Sequence, residues 1–117
     1  MPVDQYADLT ITCFDWVPPF ARGRVRDLRI RWFCEETGLS YAQHRISAID
    51  RPASHFEHQP FGQVPVLLDG DIEIFESGAI LLHLAEREGK LLPPAGQARA
   101  SALSWLFAAF NSLEPSV

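Results

Sequence analysis

Two short apolar runs separated by Asp69-Gly70-Asp71 constrain this sequence more than any other feature. The runs cover residues 64–68 and 72–75, and an Asp-Gly pair between such runs is typical of a β-hairpin turn. Directly after the second run, apolar residues recur at helical spacing behind Ser77, a residue type that favours the start of a helix. The segment therefore predicts a hairpin that is followed at once by a helix.

The first half of the chain predicts a strand, a helix and a second strand. Residues 8–16 alternate between apolar and polar side chains, as a half-buried strand does. Residues 20–37 change to helical spacing and are followed by Gly38, a candidate C-cap. A second strand is predicted around residues 41–46, and a short helix at 54–58. The predicted buried stripe of the first helix consists of Ala21, Val25, Leu28 and Trp32.

The order β-α-β, a loop with a short helix, and β-β-α predicts one mixed sheet of the thioredoxin-like α/β kind. The first two strands require a parallel crossover connection, and the hairpin adds antiparallel strands to the same sheet. We expect this domain to cover residues 1–92. Residues 93–117 are then a linker and the first helix of an all-α domain. That helix is apolar on two faces, which predicts partners on more than one side, either a further helical domain or the second copy of a homodimer.

Composition narrows the class of protein. The chain has 117 residues, of which 47% are hydrophobic and 21% charged, and its net charge of -5 argues against nucleic acid as the main partner. No stretch approaches the roughly 20 apolar residues that cross a membrane, and the N-terminus does not resemble a signal peptide, so we expect a cytoplasmic protein. Cys13 and Cys34 form no CxxC pair, and four scattered histidines predict no metal site.

The segment Gln59 to Ala85, QPFGQVPVLLDGDIEIFESGAILLHLA, resembles the glutathione-site half of the glutathione transferase family. In that family a loop ending in Val-Pro precedes the hairpin, and Glu-Ser opens the next helix. The resemblance extends over residues 8–92. It implies a thioredoxin-like domain, glutathione as co-substrate, a small electrophilic second substrate and a homodimer.

The resemblance assigns binding roles to Gln63, Val64, Pro65, Glu76 and Ser77. Val64, before a cis Pro65, would offer its main-chain N–H and C=O to the cysteinyl backbone of glutathione. Ser77 would hold the α-carboxylate of the γ-glutamyl group at a helix N-terminus, and Glu76 would pair with its ammonium. Gln63 would contact the peptide groups of the ligand. The structural alternatives are a proline that only begins a strand, a plain N-cap serine and a solvated loop amide.

The region between the first strand and the first helix departs from the family pattern. Transferases activate the ligand's thiol there with a Tyr, Ser or Cys, because a hydrogen-bond donor favours the thiolate. Alignment with the Ser- and Cys-dependent classes places Pro18, which has no donor, at this position, and alignment of Arg22-Gly23-Arg24 with the Tyr-dependent classes gives no Tyr unless the loop is longer here. The remaining candidates for this catalytic role are Arg22, the first of five arginines in residues 22–31, and Trp16, through its indole N–H. Packing by Trp16 and a solvated arginine face are the structural alternatives. By the same resemblance, His55 or His58 lies where the family reaches the glycyl carboxylate.

The function that these residues predict is a glutathione transferase that presents the thiolate of glutathione to an electrophilic small molecule. The alternative is a non-catalytic, transferase-like binding or assembly module that acts through protein contacts, which the missing Tyr, Ser or Cys favours. A glutaredoxin-like oxidoreductase is a third and weaker hypothesis, because no cysteine lies at the start of the first helix.

Overall fold

The computed structural model describes residues 2–116 and contains two compact units, Met1–Ile80 and Leu81–Val117. Residues 2–116 contain four strands and four α-helices, together with short 3-10 and π-helical turns. In chain order they are β1 (Leu9–Phe14), α1 (Asp27–Thr37), β2 (Ala42–Ile46), α2 (His55–His58), β3 (Val66–Asp69), β4 (Ile72–Phe75), α3 (Ser77–Glu88) and α4 (Gly96–Ala108).

The strands form one mixed sheet in the order β2-β1-β3-β4. β1 and β2 run parallel, with Thr12 opposite His44, whereas β1–β3 and β3–β4 are antiparallel. The predicted thioredoxin-like α/β order is therefore confirmed, and the sheet is followed by a helix as expected. Apolar residues of the strands, of α1 and of the first turn of α3 form the buried interior of the first unit, including Leu9, Ile11, Ile30, Leu67 and Ile80.

The hairpin has the turn that its sequence predicts. Asp69 pairs with Ile72 at the end of the β3–β4 ladder, which leaves Gly70 and Asp71 as the connection. Gly70 has φ +59, a left-handed conformation that glycine adopts without steric cost. The hairpin places the start of α3 immediately after β4.

The first helix begins later than the sequence pattern predicts. A short 3-10 turn covers Pro19–Ala21, Gly23 has φ +75, and the α-helix starts only at Asp27. The predicted stripe is also wrong, because Leu28 and Trp32 are exposed. The buried face consists of Asp27, Ile30, Phe33 and Cys34.

The physical reason lies in the positive φ of Gly23, which interrupts the backbone before a helix can form. A helical period counted from residue 20 therefore predicts the wrong buried face for α1. The C-terminal prediction is confirmed, since Gly38 ends α1 with φ +73 and donates its N–H to the carbonyl of Cys34.

The second unit consists of the end of α3, the helix α4 and a π-helical turn at Ala109–Leu113. Arg99 of α4 and Glu86 of α3 form an ion pair. No residue of α4 is buried among those that the structure describes, and Trp105 and Phe107 are 72% and 58% exposed. The domain boundary at residue 92 and an all-α domain beyond that boundary remain predictions. Within residues 2–116 no helix is long and apolar enough to cross a membrane.

Candidate functional site

The loop before β3 carries the Val64–Pro65 peptide bond, which is cis. Val64 and Pro65 are both buried, whereas Gln63 is exposed to solvent. Among the loops and turns of residues 2–116, no main-chain hydrogen bond involves the N–H or C=O of Val64. The loop therefore combines an exposed amide side chain with main-chain groups that the neighbouring turns do not use.

Two side chains hold this loop through main-chain carbonyls. The Nε2 atom of His55 lies 2.7 Å from the carbonyl oxygen of Gln63, and Arg51 donates through Nη1 to the carbonyl of Gly62 at 2.8 Å. The guanidinium of Arg51 also lies 4.9 Å from the ring centroid of Phe14, a cation–π contact. The position of the loop is thus tied to α2, to the segment after β2 and to the end of β1.

Glu76 and Ser77 mark the start of α3. Glu76 has φ +78, and its carbonyl accepts the first helical hydrogen bond, from Ile80 at 3.0 Å. Glu76 therefore occupies the N-cap position and Ser77 is the first helical residue, so the prediction of Ser77 as the N-cap is wrong and the helix begins one residue earlier than the sequence pattern indicates. Ser77 is only 4% exposed, while the side chain of Glu76 lies at the surface.

The hydroxyl of Ser77 makes a long-range contact. Its Oγ accepts a hydrogen bond from Nη1 of Arg29 at 3.1 Å, across 48 positions of sequence. In the same way, Arg26 donates through Nη1 to Oε1 of Gln63 at 3.2 Å. Arg26, the N-cap residue of α1, and Arg29 in its first turn thus connect the loop before β3 with the start of α3.

Sequence reasoning did not select these two arginines. The helical pattern that begins at residue 20 instead favours Arg22, the first of the five arginines, as the one nearest the helix start. A signal was available, since positions 26 and 29 are three apart and share one face of a helix. That face could be assigned only once the true start of α1 at Asp27 was known.

The two candidates for thiol activation lie between β1 and α1. Trp16 is 50% exposed. Arg22 lines a cavity of about 190 Å³ together with Asp27 and Arg31, among other residues of β1 and α1. The Nε atom of Arg31 lies 3.1 Å from Oδ2 of Asp27. Arg22 therefore lines the same cavity as this ion pair, whereas Arg26 and Arg29 contact two of the residues predicted to bind ligand.

Burial governs the ionisation of two groups near this region. It raises the pKa of the Asp27 carboxyl, an effect that the nearby Arg31 guanidinium opposes. Burial also raises the pKa of the Cys13 thiol, and the negative charge of Asp27 raises it further. Cys13 and Cys34 are both buried and neither forms a disulfide. These cysteines have the surroundings of packing residues and not those of reactive thiolates.

The histidines near the loop have partners within the protein. His55 is 5% exposed and bonds the Gln63 carbonyl, and the Nδ1 atom of His58 lies 2.6 Å from Oε1 of Glu73. Within residues 2–116 no cluster of three or more metal-ligating side chains occurs.

A comparison with protein families decides the family. Residues 10–86 match the family described as glutathione S-transferase, N-terminal domain. The chain belongs to this family.

Relatives of this N-terminal domain agree with the family match. Glutathione S-transferase 4 of Zea mays is 36% identical over 86 residues, which cover 69% of this chain and 39% of the relative. The disulfide-bond oxidoreductase YfcG of Escherichia coli is 34% identical over 101 residues, covering 74% of this chain and 45% of the relative. The chain thus spans less than half the length of these curated relatives.

Solved structures show the same fold. The theta class glutathione S-transferase from Xanthomonas axonopodis pv. citri, with glutathione bound, superimposes with a TM-score of 0.72 at 26% sequence identity. The match covers 91% of this chain and 50% of the other. Membership of the family thus rests on sequence and on fold together.

The glutathione S-transferase N-terminal domain brings part of its predicted site together. Gln63, Val64 and Pro65 lie in one loop, Glu76 and Ser77 lie at one helix start, and α1 contacts both places through Arg26 and Arg29. Trp16 has no described contact with either place, and Arg22 lines a separate cavity.

Proposed function

We propose that this domain binds glutathione and, in the complete protein, presents its thiolate to an electrophilic small molecule. The observation that carries the proposal is the arrangement of the cis Val64–Pro65 loop and the start of α3, both contacted by α1. Family membership supports it, and solved relatives of the same fold contain glutathione.

In the proposed complex each part of the tripeptide has a partner of suitable chemistry. The α-carboxylate of the γ-glutamyl group binds at Ser77, where main-chain N–H groups and the helix dipole favour an anion. Glu76 pairs with the neighbouring ammonium. The main chain of Val64 bonds the cysteinyl backbone as an added strand would, and Gln63 contacts the ligand's peptide groups.

Thiol activation is assigned to Arg22 or Trp16 as part of the same proposal. Arg22 would stabilise the thiolate by its charge, and Trp16 would donate an indole N–H. Cys13 is a poor alternative nucleophile because it is buried and its pKa is raised. Replacing Arg22 by Met and Trp16 by Phe, and measuring the pKa of the bound glutathione thiol by its thiolate absorbance, distinguishes the two. The responsible residue is the one whose replacement raises that pKa.

Glutathione binding is tested by calorimetry on the protein expressed from its complete reading frame. Ser77→Ala and Glu76→Ala each remove one hydrogen bond to a charged group. Each is expected to weaken binding by about 10- to 100-fold, the equivalent of about 1.5–3 kcal/mol. Ser40→Ala and Glu35→Ala, at exposed positions of the same domain, are the matched controls. No heat of binding at millimolar glutathione would overturn the proposal and favour a module that acts through protein contacts.

The complete protein is proposed to add a helical domain after residue 92 and to form a homodimer. The exposed apolar side chains Trp105 and Phe107 of α4 support the need for a covering partner. Light scattering on the protein from the complete reading frame tests the dimer, since a monomer at micromolar concentration would contradict it.

A disulfide-bond oxidoreductase is the second candidate function. Two relatives from Escherichia coli carry that name, YfcG and YghU. By the resemblance, alignment with the Ser- and Cys-dependent classes places Pro18, which has no donor, where conjugating transferases activate the thiol. Assays with an electrophilic aryl halide and with a small organic disulfide, each with glutathione, separate the two functions by which substrate is consumed.

A further inference from the structure

Two residues of the proposed site, Ser77 and Gln63, have side chains that can either donate or accept hydrogen bonds. A serine hydroxyl has one proton and two lone pairs, and a glutamine amide has an oxygen at one end and an NH₂ group at the other. A site built from such groups does not by itself select between a ligand that presents acceptors and one that presents donors. The hydrogen-bond partners of Ser77 and Gln63 inside the protein decide whether a donor or an acceptor group faces the ligand.

The partner of Ser77 is a group that can only donate. Arg29 directs Nη1 at Oγ of Ser77 over 3.1 Å, and a guanidinium has no acceptor. The hydroxyl oxygen is therefore engaged as an acceptor, and its proton remains for a different partner. Because Ser77 begins α3, that proton and the first N–H groups of the helix form one set of donors.

The side-chain amide of Gln63 is oriented in the same way, by an arginine that can only donate. Arg26 donates through Nη1 to its amide oxygen at 3.2 Å, so the amide must turn its oxygen toward α1. The NH₂ group then lies at the other end of an exposed side chain. Its two protons are the part of Gln63 that a ligand meets, and they match a carbonyl or carboxylate oxygen.

We propose that Arg26 and Arg29 are positioning residues that turn Gln63 and Ser77 into hydrogen-bond donors, so that Ser77 selects a carboxylate on the ligand and Gln63 meets the oxygens of its peptide groups. The inference rests on the proposed function, because it concerns the same site and takes glutathione as the ligand. Neither arginine is assigned a contact with the ligand. Their two positive charges add to the field of the α3 N-terminus, which draws an anionic ligand toward these donors.

Selectivity is the measurement that separates positioning from a structural role. Calorimetry compares glutathione with the analogue whose γ-glutamyl α-carboxylate is a carboxamide. Arg29→Met is expected to weaken glutathione binding by about 10- to 100-fold, as loss of a charge-assisted contact does, and to affect the carboxamide much less. The ratio of the two affinities therefore falls. Arg26→Met is expected to weaken both ligands by similar factors, because Gln63 faces the peptide groups.

The matched control is Arg24→Met, which removes a positive charge from the same segment at an exposed position. It should change the affinity ratio by less than about 2-fold, since exposed charges act weakly and are screened. Arg29→Lys, which keeps a charged donor, should restore most of the ratio. In a double-mutant cycle, adding Arg29→Met to Ser77→Ala should cause little further loss.

The outcomes are distinct from those that test the proposed function. If the unsubstituted protein binds glutathione and Arg29→Met keeps its affinity ratio, the positioning role is overturned while the proposed function stands. If the unsubstituted protein does not bind glutathione, both are overturned. Should Arg29→Met fail to fold, Arg29→Gln keeps an N–H donor for Ser77 without the charge. The ratio should then be largely kept, and a fall in the ratio as large as that expected for Arg29→Met would overturn the inference, because the charge alone would then select the carboxylate.

Discussion

The Nε2 atom of His55 lies 2.7 Å from the carbonyl oxygen of Gln63. Because a carbonyl only accepts, the ring nitrogen is the donor and carries the proton. In a planar trans peptide the C=O and N–H point in opposite directions. Holding the carbonyl of Gln63 toward α2 therefore directs the N–H of Val64 away from α2, where the proposed ligand backbone would meet it.

Replacing His55 by Leu is expected to lower both stability and glutathione affinity. The carbonyl of Gln63 would lose its partner in a part-buried place, which costs about 1–3 kcal/mol of unfolding free energy. Urea denaturation measures the change in stability, and calorimetry on the native protein measures the change in glutathione affinity. His55→Gln, which can place an amide donor near the same position, is the control and should recover part of both losses. Equal stability and affinity in His55→Leu and the parent protein would show that the contact does not position the loop.

Gly62→Ala is expected to destabilise the domain more than Gly70→Ala does. Both glycines have positive φ, so each substitution carries a conformational cost of about 1–2 kcal/mol. At Gly62 the new Cβ would also lie 2.4 Å from Cε1 of Phe56, whereas nothing lies within 4 Å at Gly70. The ring of Phe56 must therefore move.

The difference in unfolding free energy between the two glycine variants measures the cost of moving the Phe56 ring. Unfolding free energies from urea denaturation should differ by more than the experimental error, and adding Phe56→Ala to Gly62→Ala should remove the clash. Equal losses in the two single variants would mean that the ring, which is half exposed, rotates away without cost.

The sequence was sufficient to predict the elements that depend on local chemistry. The hairpin turn at Gly70 and the C-cap at Gly38 require a left-handed residue, and glycine at those positions is a local signal. The alternation in residues 8–16 predicts a strand, and β1 forms there at Leu9–Phe14, although Thr12 on the polar side of the pattern is buried as well. These features together define the order of the sheet, because short connections leave few topologies.

The features that the sequence did not predict correctly depend on contacts between distant residues. The start of α1 at Asp27 is set by the backbone at Gly23, and a helical period alone does not contain that information. The contacts from Arg26 to Gln63 and from Arg29 to Ser77 join positions 37 and 48 residues apart. The sequence alone favours Arg22 by its position in the chain, and only the folded chain distinguishes Arg26 and Arg29 by their contacts.

Cys13 and Cys34 are expected to react slowly with a thiol reagent in the native protein. They are 4% and 0% exposed, and burial raises the pKa of Cys13, so little thiolate is available at neutral pH. If exposure requires a local opening of about 3 kcal/mol, native modification is about 100-fold slower than modification in urea. Stopped-flow absorbance with an aromatic disulfide reagent measures both rates. Rapid native reaction of either cysteine, located by mass spectrometry, would contradict the packing role.

The buried carboxyl of Asp27 predicts a pH dependence of stability with a definite sign. Burial raises its pKa above the ordinary value of 3.8, although Arg31 opposes the shift. The folded state then binds more protons than the unfolded state just above pH 3.8, so this group's contribution to stability falls as the pH rises. The stability that it provides is complete below pH 3.8 and is lost as the pH rises through the folded-state pKa.

Asp27→Asn removes that proton equilibrium and keeps an oxygen for the main-chain N–H groups of Asp27 and Leu28, which both bond the carboxylate. The free energy of unfolding of the variant, minus that of the parent, should therefore become more positive as the pH increases from 3.8 through the folded-state pKa. Urea denaturation at intervals of half a pH unit measures this difference. Asp50→Asn, at an exposed position, is the control and should give a flat difference over the same interval. If Asp27→Asn is equally flat, the attraction of Arg31 cancels the effect of burial, and Asp27 titrates in the folded protein as it does in the unfolded chain.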